Sequence, residues 1–86
     1  MTTNEARKDA LLARLSLTDL VRQSLAMEAN PAPESHDRMV KAWMSDEIER
    51  RMGGVQDEDA FCELLDQGHS YTECLIRTFP ALEAHR

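Results

Sequence analysis

The chain has 86 residues, with ten Lys and Arg against sixteen Asp and Glu, a formal charge of −6 and a pI near 4.9. That length suits a single small domain, residues 1–86. The acidic balance argues against direct nucleic-acid binding by phosphate neutralisation. No apolar run is long enough for a membrane span or a signal-peptide core, so the expected setting is cytoplasmic, with Cys62 and Cys74 as reduced thiols.

Leu, Ile, Val and Phe account for only 17 residues, just under the ~20% level at which disorder competes with folding. A chain this short buries about 60–65% of its unfolded surface. The core is therefore expected to be thin, with a partner or a second copy covering part of the apolar surface. Charge is also unevenly placed. Residues 1–43 balance six bases with six acids, whereas residues 44–86 hold four bases and ten acids. Between Arg51 and Arg77 there is no Lys or Arg, yet Asp57, Glu58, Asp59, Glu63, Asp66 and Glu73 all fall there. Such a field attracts basic partners and repels phosphate backbones and anionic lipid; the same charges also keep a small protein soluble.

Helix signals run the length of the chain, and no segment alternates as a strand would. Asn4 is a candidate cap for a first helix reaching about Leu15, with Leu11, Leu12 and Leu15 on one face. The next apolar set, Leu17, Leu20, Val21 and Leu25, points about 200° away from that face at the helical period. Ser16 and Asp19 also form an N-terminal capping pattern, so a break at Ser16 is expected, followed by a helix to about Ala29. Asn30 to Glu34 reads as a linker, because Pro31 and Pro33 restrict the backbone. Ser35 is the expected cap of the longest helix, which runs to about Met52 and stops at Gly53-Gly54. Its apolar stripe is Met39, Val40, Trp43, Met44, Ile48 and Met52. Ion pairs are expected at four-residue spacing in Asp37–Lys41, Asp46–Arg50 and Glu47–Arg51. Asp57 to Asp59 open a fourth helix with Ala60, Phe61, Leu64 and Leu65 buried and Gly68 at its end. Ser70 to Glu73 form a capping box for a fifth, with Tyr71, Cys74, Leu75, Thr78 and Phe79 on one side. Pro80 ends it, leaving Ala81 to Arg86 to fray or add one turn.

Residues 63–79, with a Leu-rich helix ending at Gly68 and a Ser-capped helix containing Tyr71, resemble the first two helices of a resolvase- or transposase-type helix-turn-helix. The resemblance covers about fifteen residues and implies a dimeric DNA-associated regulator, for which Arg7, Lys8 and Arg14 would add contacts. The base-reading helix of that family would have to follow Phe79. Only seven residues remain there, with a single Arg and acidic surroundings.

The remaining chemistry-bearing residues form no recognisable centre. Cys62, His69 and Cys74 are spaced unlike a zinc site, so no metal is expected. No nucleophile–base pair or phosphate-binding glycine loop is evident, and neither an enzyme nor a cofactor is expected. Met39, Trp43 and Met44 stand out instead. Met fills cores readily, but Met with Trp also makes adaptable contact surfaces. The resulting expectation is an all-α bundle of four to five short helices around one long helix at about 35–52, alone or as a helical homodimer. It would be a small non-catalytic regulator or inhibitor that binds another, basic protein. Met39, Trp43 and Met44 would anchor that partner, and Asp57, Glu58, Asp59, Glu63 and Asp66 would steer it.

Overall fold

The computed structural model describes residues 4–32 and 34–86, with side chains from Ala6 onward, and among these residues the chain is all-helical with no strand. Five α-helices, α1 (Asn4–Ala13), α2 (Leu17–Glu28), α3 (Ser35–Arg51), α4 (Glu58–Asp66) and α5 (Tyr71–Thr78), are followed by a 3-10 segment, Pro80–His85. The side chain expected to cap α1, that of Asn4, and Pro33 of the expected linker lie outside the described residues.

Local sequence chemistry sets most of the boundaries. The Ser16 side chain accepts from the Asp19 N–H at 3.1 Å, and the Ser16 N–H donates to Asp19 Oδ2 at 3.3 Å. This reciprocal pair separates α1 from α2, where the apolar phase changes. Asp57 and Ser70 accept from the N–H groups of Ala60 (3.0 Å) and Glu73 (3.2 Å), starting α4 and α5. α3 and α4 both end in Schellman turns. Gly54 N–H donates to Glu49 C=O and His69 N–H to Leu64 C=O, with Gly53 and Gly68 at φ +86° and +93°. Residues with a Cβ are strained at those angles.

Two expectations shift and a third is decided. The cap of α3 is Glu34, not Ser35, because Asp37 turns back to accept the Glu34 N–H (3.3 Å). Arg50 pairs with Glu47, not Asp46. Of the two outcomes expected for Ala81 to Arg86, the added helical turn is the one found, as part of the 3-10 segment. Leu82 in the 3-10 segment is fully buried, Thr18 Oγ1 and His85 Nδ1 share a 2.8 Å hydrogen bond, and Arg86 reaches Glu73 at 2.6 Å.

The core lies where α2, α3, α5 and the 3-10 segment meet. Leu20, Val21, Met44, Ile48, Cys74, Leu75, Ile76, Phe79 and Leu82 are buried there together. α5 is enclosed on several sides, so Thr72 and Ile76 are buried in addition to the expected stripe, while Tyr71 is partly buried and packs edge-on against Phe61 at 5.0 Å. α1 and α4 are outriggers. α1 packs on α3 alone among the helices and α4 on α5 alone. Of α1's leucines only Leu12 is buried.

Deleting buried methylene groups costs transfer free energy plus a cavity term. Leu82→Ala is expected to lower stability by about 2–5 kcal/mol, measured by urea unfolding followed by circular dichroism. The exposed neighbour substitution Ala81→Ser is expected to change it by less than about 0.5 kcal/mol.

Candidate protein-binding surfaces

The apolar arc of α3 divides into two edges. Val40, Met44 and Ile48 face the core; Met44 is 0% exposed. It therefore offers no surface to a partner, and its expected role as an anchor gives way to a role in packing. Successive residues turn 100° around a helix, which puts Met39 and Trp43 on the edge next to α1. Met39 is 40% exposed and Trp43 partly buried.

α1 and α3 meet at two places. Asp9, Leu12 and Ala13 flank Glu47, Arg50 and Arg51, while Arg7 and Leu11 flank His36, Met39, Val40 and Trp43. The second group encloses an open groove of about 440 Å³, with no carboxylate among the described residues that line it. Leu11, expected to share one face with Leu12 and Leu15, is 37% exposed on the groove wall, whereas Leu12 is buried.

A charged clasp holds α1 in this place. Glu47 is nearly buried and accepts from Arg50 Nη2 at 2.6 Å and Arg51 Nε at 2.7 Å. Arg51 Nη2 also donates to the Leu12 carbonyl at 3.0 Å, near the C-terminal end of α1. Carbonyls there lack helical partners, and a cation suits the negative end of the helix. Hydrogen bonding from Arg50, then from Arg51, lowers the Glu47 pKa to about 2 against the opposing effect of burial.

The expected acidic residues gather on α4. Asp57, Glu58, Asp59, Glu63 and Asp66 are all exposed, and none is in a salt bridge within the described structure. Leu65, expected in the buried stripe, joins this outer surface at 39% exposure. α4 packs inward with Phe61 and partly with Leu64, and Leu65 is turned ~100° away from Leu64. Glu73, the remaining acid of that stretch, is engaged differently. Its carboxylate, expected to close the capping box at Ser70, instead accepts from Arg86 (2.6 Å) and Arg77 (3.0 Å). Hydrogen bonding from Arg86 and Arg77 lowers its pKa.

The acidic face and the groove are not contiguous. Lys41, Ala42, Ser45 and Asp46 of α3 lie next to Tyr71 of α5. Their mean direction is ~140° around α3 from that of Met39, Val40 and Trp43. α4 lies beyond α5 on this second flank, with Phe61 against Tyr71 and Tyr71 Oη donating to Glu49 at 2.7 Å. The anchors and steering charges read together from the sequence are thus two separate surfaces.

The other motifs take simpler places. Cys62 is exposed and Cys74 buried, where desolvation raises the thiol pKa. Among the described residues, no three His, Cys, Asp or Glu side chains gather as a metal site, and no helix is long and apolar enough to cross a membrane. Within residues 63–79 the end of α4 and the whole of α5 are joined by a short turn at Gly68. The segment after Phe79 is the 3-10 turn that buries Leu82, packed against α2 and α5. No family model, curated protein or solved structure matches this chain.

The lowered Glu47 pKa fixes a pH dependence. The folded state holds this proton less tightly than the unfolded state, so the clasp's contribution is complete above about pH 4.5, the ordinary carboxylate value. It is lost as pH falls towards about 2. Glu47→Gln is expected to cost about 1–2 kcal/mol at neutral pH and to flatten the stability profile across that acid window, as measured by urea unfolding at a series of pH values.

Proposed function

We propose that this chain is a small acidic binding protein without catalysis, a regulator or inhibitor whose partner is a basic protein. The exposed acid surface of α4 carries the reading: Glu58, Asp59, Glu63 and Asp66 project from a helix of nine residues, with Asp57 capping its start. Acids that have salt-bridge partners are already neutralised locally. These are not, so their field extends into solvent and favours approach of a cationic surface. Electrostatic complementarity of this kind acts mainly on the association rate and on partner choice. A basic protein that processes nucleic acid fits the same chemistry, since its cationic site is shaped to receive negative charge. Placement of the acids on an outrigger helix supports this reading, because α4 can meet a concave partner while the core stays at a distance. Met39 and Trp43 lie on the other flank of α3 and do not share that contact.

The test is association with an immobilised basic globular protein, using a near-neutral protein as control. The wild-type rate is expected to fall steeply as salt is raised. Replacing Glu58, Asp59, Glu63 and Asp66 with their amides is expected to lower the low-salt rate about tenfold or more and to remove most of the salt dependence. Equal rates for the wild type and the neutralised variant would contradict the proposal.

A further inference from the structure

We propose that the groove between α1 and α3 receives the exposed Leu65 edge of α4 from a second copy of this chain, in a head-to-tail contact. Three large apolar side chains are exposed among the described residues: Leu11, Met39 and Leu65. The first two line the groove, whose polar lining among the described residues is Arg7 and His36, the latter with the Asp37 carboxylate 4.0 Å from its ring. The third lies at the edge of the acid surface of α4, ~20° around the helix from Glu58 and ~100° from Asp66. The two surfaces are complementary: the groove sets apolar side chains beside a cation, Arg7, and α4 sets an apolar side chain beside acids, Glu58 and Asp66.

The dimensions agree. The groove follows α3 from His36 to Trp43, ~10 Å at the helical rise, and α4 offers ~13 Å of helix. A chain cannot fill its own groove, because α4 lies beyond α5 on the other flank of α3. The contact is therefore heterologous, joining two different surfaces, and each added copy presents a free groove at one end and a free α4 at the other. The net charge of −6 opposes association at long range. Burial of Leu65 against Leu11, Met39 and Trp43 supplies the attraction, and Arg7 facing the α4 acids sets the register. Such assembly would cover the acid surface of every copy but one, and so compete with a basic partner. The self-contact itself does not depend on that partner.

Sedimentation velocity on the full chain across two decades of concentration tests the proposal. The wild-type mass is expected to rise above 9.8 kDa with concentration. Met39→Glu in the groove and Leu65→Glu on α4 alter exposed positions and should retain the helical circular dichroism signal. Each is expected to weaken self-association about tenfold or more, with Arg7→Glu as a second groove variant should Met39→Glu unfold. Mixed together, the two variants have one intact groove and one intact α4 between them, so a capped one-to-one dimer is expected. A wild-type chain that stays monomeric throughout, or variants whose mixture does not associate, would overturn the proposal. Loss of basic-protein binding in the amide variant, with wild-type self-association absent, would separate its failure from that of the functional reading.

Discussion

The apolar arc of α3 is wider than the helices beside it can enclose, and much of this molecule follows from that mismatch. α2, α5 and the 3-10 segment cover the edge formed by Val40, Met44 and Ile48. The other edge, Met39 and Trp43, is left to α1, ten residues long with one buried leucine. Burial there is too limited to hold α1 firmly by packing alone. Arg51 supplements it with directional bonds to the Leu12 carbonyl and to Glu47, which holds it in place. A chain richer in aliphatic residues could have closed the arc. This one leaves a groove.

Charge serves two purposes in the same small molecule. Glu47 and Glu73 each accept from two arginines and fasten outlying segments, one near the end of α1 and the other at the C-terminus. Partly buried carboxylates of this kind need partners, because desolvating an uncompensated charge is costly. The α4 acids remain in solvent, meet no such cost and keep their field for approaching molecules. The distinction between structural and recognition carboxylates follows from burial, not from residue type.

Much of the helical layout was legible because it is written locally. The Ser16–Asp19 capping pair, the change of apolar phase beside it and the two glycine terminators depend on residues within one or two turns. What was not legible depends on distant neighbours. Glu73 at the third position of α5 reads as the second half of a capping box, but Arg86, thirteen residues further on, claims its carboxylate. Leu82 follows a proline near the terminus and gives little local sign of burial, yet it fills the space between α2 and α5. Met44 and Met39 look equivalent in a stripe. Only the phase set by Val40 and Ile48 could have marked Met44 as the inner one. The separation of Trp43 from the α4 acids reflects how α4 folds back onto α5, and no local motif specifies that.

The single tryptophan offers a direct view of the incompletely covered arc. Quenching of Trp43 fluorescence by acrylamide, on dilute protein, reports how far a small solute can reach the indole in one chain. A quenching constant between those of a buried and a free indole is expected, falling as protein concentration rises. A constant as low as that of a fully enclosed indole, already at high dilution, would show the arc to be closed within a single chain and would contradict the account.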